Sequence, residues 1–187
     1  DALKCLFIGK LEIYKGCITF VDTLIKAIDL GMNIHGIIVG VGSEKKRLLN
    51  KIKINKKEKY FTFLGNIEHK DIFYFHNVSD LYISLNNLGN FSNVNLEAIK
   101  FGQVIILPKK LSSADNNETL HDILDKKGVL WISNPSDVNG LLEIIKNINH
   151  DRSLLIKYKK LIKNSSNKIP SWDYRIKKEI KLLEDLV

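Results

Sequence analysis

The sequence predicts an α/β fold: a Rossmann-like, doubly wound, six-stranded parallel sheet with helices on both faces and extra helices at its C-terminal end. Three observations predict it. Six short apolar runs alternate with stretches whose apolar residues recur at helical spacing. The runs are almost continuously apolar, as strands covered on both faces must be. Gly9, Gly40, Gly65 and Pro108 close four of the runs, where turn chemistry is expected.

Lys4-Cys5-Leu6-Phe7-Ile8-Gly9 reads as the first strand, and Val21, Leu24, Ile25 and Ile28 mark a helix that Gly31 stops. Ile37-Ile38-Val39-Gly40 is the second strand, and Ser43 is expected to cap the lysine-rich helix after it. Tyr60 to Gly65 is the third strand, with a short helix over about Lys70 to Asn77. Leu81 to Ser84 is the fourth, followed by a helix from Asn93 to Lys100 ended by Gly102. Val104 to Leu107 is the fifth, stopped by Pro108. A polar stretch leads to a helix over Thr119 to Lys127, then the sixth strand, Val129 to Ile132. Pro135 is expected in the first turn of the next helix, which carries Val138, Leu141, Leu142 and Ile145. Two amphipathic helices finish the chain, parted near Ser165 and Pro170.

The 187 residues fit one domain, and no linker, repeat or interior boundary is visible. The start at Asp1, without Met, suggests that residues 1–187 were cut from a longer chain. No apolar stretch is long enough to span a membrane, and no signal peptide is evident. Two cysteines, Cys5 and Cys17, make no disulfide framework, so a reducing cytoplasm is the expected compartment. Lys plus Arg outnumber Asp plus Glu by 29 to 21, a net charge of +8. The excess is spread along the chain, with peaks at Lys51–Lys57 and Lys157–Lys160. It fits solvated helix faces, with peripheral contact to the inner face of a membrane as a further expectation. No aromatic strip supports nucleic-acid binding.

Open parallel sheets bind ligands beyond the carboxyl ends of their strands, where the connections reverse. Three loops there carry chemistry. Gly9-Lys10-Leu11-Glu12-Ile13-Tyr14-Lys15-Gly16 places two lysines where they can neutralise a phosphate. Gly40-Val41-Gly42-Ser43 is a tight turn into a helix, with weak phosphate-loop character. Leu88-Gly89-Asn90-Phe91-Ser92-Asn93 opens a helix whose free backbone amides could hold a diphosphate. Glu97, on that helix, could accept hydrogen bonds from two ribose hydroxyls. Ordinary surface lysines, a plain turn and a surface glutamate are the alternatives at these positions.

Taken in order, these loops resemble the C-terminal, donor-binding domain of the GT-B, group 1 (family 4) retaining glycosyltransferases. The resemblance rests on Gly9-Lys10-Leu11 with Lys15-Gly16, Gly40 with Gly42, Phe63-Leu64-Gly65-Asn66-Ile67, Asp80 before Leu81-Tyr82-Ile83-Ser84, Asn93 to Ala98, and Ser171-Trp172. It implies that Lys10 and Lys15 stabilise the departing diphosphate as catalytic cations. It further implies that Gly9 and Gly42 line the donor, that the Ile67 backbone meets the base, and that Asn90, Phe91, Ser92, Asn93 and Val94 face sugar and phosphate. Glu97 would hold the ribose. The implied partners are a nucleotide-sugar donor and an acceptor-binding N-terminal domain that this chain lacks. No cofactor or metal is expected.

Three positions depart from the pattern. Lys10 stands where the family favours Arg, and loses the bidentate fork. Gly89 stands where many members have a second glutamate, although a subset carries a Leu-x-Asn-x-x-Asn loop like Leu88 to Asn93. The usual proline after Gly102 is missing. A noncatalytic nucleotide-binding module and a nucleotide-sugar 2-epimerase on the same architecture stay open. No metal motif occurs, and His35, His69, His76, His121 and His150 show no ligand spacing, so each is expected to be structural or superficial.

Overall fold

A computed structural model describes residues 1–87, 92–109 and 128–166, with residues 176, 177, 180, 181 and 184 as further helical positions. The chain runs β1 (Leu3–Ile8), α1 (Cys17–Asp29), β2 (Ile34–Val39), α2 (Lys45–Ile54), β3 (Phe61–Gly65), α3 (Ile72–Val78) and β4 (Leu81–Ile83). It continues with α4 (Asn93–Lys100), β5 (Val104–Pro108), β6 (Leu130–Ile132), α5 (Val138–His150) and α6 (Ser153–Ser166). The expected helix over Thr119 to Lys127 and the Ser171-Trp172 motif lie outside the described residues.

The six strands form one sheet in the order β3-β2-β1-β4-β5-β6, and every pairing is parallel. From β1 the chain winds outward one way to β3, then returns to lay β4 on the other side of β1. The reversal therefore falls between β1 and β4, where Cys5 pairs with Leu81 and Leu6 with Tyr82. The loops leaving β1 and β4 must flank one crevice.

Period-two alternation splits β1 between two cores. Leu3, Cys5 and Phe7 face α1, α2 and α5, packing with Phe20, Leu24, Leu48, Leu141 and Ile145. Leu6 faces the other way and joins Tyr82, Ile105 and Leu107 against Ala98 and Ile99 of α4 and Ile162 of α6. Each side chain of this size, fully buried, contributes roughly 1.5–3 kcal/mol of transfer free energy. Tyr82 is fully buried, and its hydroxyl donates to Asn95 Oδ1 at 3.1 Å, tying β4 to the first turn of α4.

Several boundaries differ from the sequence reading. β2 begins at Ile34, three residues before the apolar run. His35 is polar, but it lies on the sheet surface, with Nε2 2.8 Å from Thr62 Oγ1. Ser43 does not cap α2: Glu44 holds the cap position, and the Ser43 hydroxyl donates instead to Glu12 Oε2 at 2.7 Å. A carboxylate is the stronger acceptor, and it draws the serine away from the helix. Pro135 precedes the first turn of α5. Asp137 is the cap there, its carboxylate accepting from the amides of Asn139 and Gly140 at 3.0 Å each. Pro108 ends β5 from within, paired with Ile132.

Candidate functional site

The tips of the first three strands are pressed backbone against backbone. Gly9 N donates to Val39 O at 3.0 Å and Gly40 N to Gly65 O at 2.7 Å. A Cβ on Gly40 would stand 1.9 Å from Gly9 O, so only glycine fits there. Gly42 is also close to backbone: a Cβ there would stand 2.4 Å from Leu11 O. Leu11 N donates to Val41 O at 2.9 Å, and Glu44 N to Leu11 O at 3.0 Å. Glu12 closes the seam, taking the Ser43 amide on Oε1 at 3.1 Å and the Ser43 hydroxyl on Oε2. Those two hydrogen bonds to the charged form hold the Glu12 carboxyl below its usual range.

This seam presents the two lysines. After Glu12 the chain makes one turn of 3₁₀-helix, Ile13–Lys15, and enters α1 through Gly16. Gly16 has φ +75°, and its α-carbon faces the exit of β4, where an added Cβ would lie 2.4 Å from Leu85 Cβ. Asn87 N donates to Tyr14 O at 3.0 Å. The lysine loop is thus bound on one side to the β2 exit and on the other to the β4 exit. Lys10 is exposed and Lys15 half-buried. Burial, and then the charge of Lys10, push the Lys15 ammonium below its usual pKa. Two like charges gathered this way are relieved by an anion between them.

The far wall of the crevice is α4. Ser92 caps it from extended backbone, its hydroxyl accepting from Asn95 N. Helix geometry leaves the first-turn amides, those of Asn93 and Val94 among them, without intrahelical acceptors. Asn90 and Phe91 lie outside the described residues. Glu97, one turn further on, is only 9% exposed. Its Oε1 is 2.7 Å from His69 Nε2, while Oε2 is buried with no partner among the described residues. A buried acceptor left unpaired costs roughly 1–3 kcal/mol, more when charged. Ile67 is half-buried on the loop leaving β3 and packs against the Tyr82 core, two residues before His69.

Lys10, Lys15, Gly9, Gly42, Ile67, Ser92, Asn93, Val94 and Glu97 therefore all belong to segments at the carboxyl ends of the strands. His69 joins them although the sequence reading set it aside. Nothing in its spacing singles it out, and only its place after the Gly65 turn gave a hint. His76 is structural: it is buried between Tyr82 and Phe101, with Nδ1 on Gln103 Oε1. Cys5 and Cys17 are free and buried, and burial raises both thiols, Cys17 to about 11, so neither is a thiolate nucleophile at neutral pH. Among the described residues no group of His, Cys, Asp and Glu could hold a metal, and no helix is long and apolar enough to cross a membrane.

No curated protein matches the sequence. Among solved structures, sucrose-phosphate synthase from Thermosynechococcus elongatus superposes with a TM-score of 0.80 at 18% identity, covering 100% of this chain and 46% of that one. Anabaena HepE, crystallised with UDP and glucose, gives 0.81 at 17% identity over 99% of this chain and 49% of its own. The C-terminal domain of a group 1 family glycosyl transferase from Francisella tularensis gives 0.71 at 18%, over 88% of this chain and 82% of that domain. At such identities the likeness is one of fold. The chain spans about half the length of the first two proteins. The sequence profile of the family described as Glycosyl transferases group 1 matches residues 1–168. With that match over most of its length, and with a sheet of the same order, the chain belongs to the group 1 glycosyl transferases.

Proposed function

We propose that this domain binds a nucleoside-diphosphate sugar across the β1–β4 crevice and supports its retaining transfer to an acceptor hydroxyl in glycan, polysaccharide or glycolipid synthesis. The carrying observation is Glu97, a buried carboxylate with one oxygen unpartnered among the described residues. Ribose hydroxyls are the donors that would satisfy it. Lys10 and Lys15 stand where the diphosphate would lie, with the start of α4 opposite and the Ile67 backbone near the base. HepE was crystallised with UDP and glucose, which makes uracil the first base to try and a hexose the first sugar.

Catalysis on this reading is electrostatic. As the bond from the anomeric carbon to the diphosphate oxygen breaks, negative charge grows on the leaving group. The lysine ammonium groups and the helix start would stabilise that charge. The acceptor hydroxyl and the groups that handle its proton would come from an N-terminal domain not included in this chain, in a cytoplasmic enzyme. This domain alone is expected to bind nucleotide and transfer nothing.

A thermal-shift panel of UDP, GDP, ADP and their sugars tests the binding step, because a ligand of the native state raises stability by mass action. A preferred base is expected, with the shift lost in Glu97→Gln. Lys15→Ala in the two-domain enzyme should lower turnover at least about tenfold, since one such donor is worth roughly 3 kcal/mol of barrier. A flat panel, or full turnover in Lys15→Ala, would remove these residues from the site.

A further inference from the structure

The His69–Glu97 contact joins two residues of opposite character. The Glu97 side chain is 11% exposed and His69 80% exposed, on a single 3₁₀ turn, His69–Asp71. Burial therefore does not hold the imidazole in place; among the described residues its hydrogen bond is to Glu97 Oε1, at 2.7 Å. The neighbouring cation, Lys70, is engaged with Glu68 at 2.7 Å, so His69 is the donor that the β3 exit offers to the carboxylate. The pair also bridges the loop that carries Ile67 to the helix that carries Glu97.

We infer that His69 is a positioning residue of the ribose subsite, fixing the Glu97 carboxylate so that it distinguishes ribonucleotides from deoxyribonucleotides. The inference rests on the reading of Glu97 as the ribose acceptor. A glutamate side chain is free about its last torsion unless something grips one oxygen. Nε2–H gripping Oε1 sets the plane of the carboxylate, while leaving each oxygen lone pairs for incoming hydroxyls. Removing the grip should loosen the carboxylate without removing it. Affinity for a nucleotide that engages the carboxylate through both hydroxyls falls more than affinity for a 2′-deoxynucleotide, which engages it through the 3′-hydroxyl alone.

The experiment is isothermal titration of the 187-residue chain with UDP, GDP and ADP and with their 2′-deoxy counterparts, the tightest pair carrying the comparison. Wild type should prefer the ribonucleotide. H69A should weaken the ribonucleotide about tenfold, the loss of one hydrogen bond to a charged group, and bring the two affinities together. H69Q, which keeps a side-chain N–H donor, should restore most of the preference. The exposed ring makes misfolding of H69A unexpected, and an unchanged thermal midpoint checks it. Preference retained in H69A but lost in E97Q overturns the role of His69 alone. Preference retained in both, or no binding by any nucleotide, overturns the ribose reading of Glu97 with it. Tighter binding by H69A overturns the positioning role too, because His69 would then be competing with the ligand.

Discussion

Replacing Gly16 by alanine isolates the contact that brings the lysine loop to the β4 exit. Two terms oppose the new methyl. The left-handed backbone, φ +75°, costs a side chain roughly 1–2 kcal/mol. The methyl would also stand 2.4 Å from Leu85 Cβ and 2.9 Å from Leu85 O, neither of which is the yielding end of a flexible chain. Overpacking of that kind adds roughly 1–3 kcal/mol. The sum is about 2–5 kcal/mol, or about 1–2.5 M in a urea midpoint if the slope is about 2 kcal/mol per M. Gly31 supplies the control: it shares the backbone conformation, φ +81°, but has no atom within 4 Å of an added Cβ. Gly31→Ala should show the backbone term alone, about 1–2 kcal/mol. Equal midpoint shifts for the two variants would refute the close approach of Gly16 to Leu85, and with it the stitching of the two loops.

Three further outcomes are expected. Asp137→Ala removes the cap of α5 and should cost about 1 kcal/mol, seen as a fall of about 2–4 °C in Tm by calorimetry. Glu12 has its folded pKa held below the ordinary 4.5, so its contribution to stability is full above that value and is lost as pH falls through the depressed one. Ser43→Ala should accordingly flatten the acid limb of the stability curve between about pH 5 and 2, measured by urea midpoint. Lys15 has its folded pKa depressed below 10.5, so affinity for a nucleoside diphosphate should fall in the alkaline range before an ordinary lysine deprotonates. Lys10→Ala should move that alkaline midpoint upward while weakening binding at neutral pH, and titration calorimetry across the range would detect a shift in the wrong direction.

Much of the fold was legible because parallel strands buried on both faces must be apolar throughout, and all six runs are strands. Helix α4 was legible over about Asn93 to Lys100 with Gly102 as its stop, whereas its cap, Ser92, was not singled out. What escaped were choices made in three dimensions. Ser43 looks like a cap until the Glu12 carboxylate, thirty-one residues away, competes for its hydroxyl. His35 lies outside the apolar run read as the second strand, and Thr62 on the neighbouring strand gives its ring a partner. The glycines and lysines of the crevice were visible because steric need and charge are written in residue type. The His69–Glu97 pair was not, since the separation of 28 residues carries no periodic signal and depends on how β3 and α4 converge.

The glycine contacts at the strand tips have a bearing on where the specificity of the proposed site could reside. Where Gly9, Gly40 and Gly65 meet, the end of the sheet is a platform of peptide groups, and its contour is drawn by residues that carry no side chain. A donor bound as proposed would have to be distinguished by the segments standing on that platform, not by the platform itself.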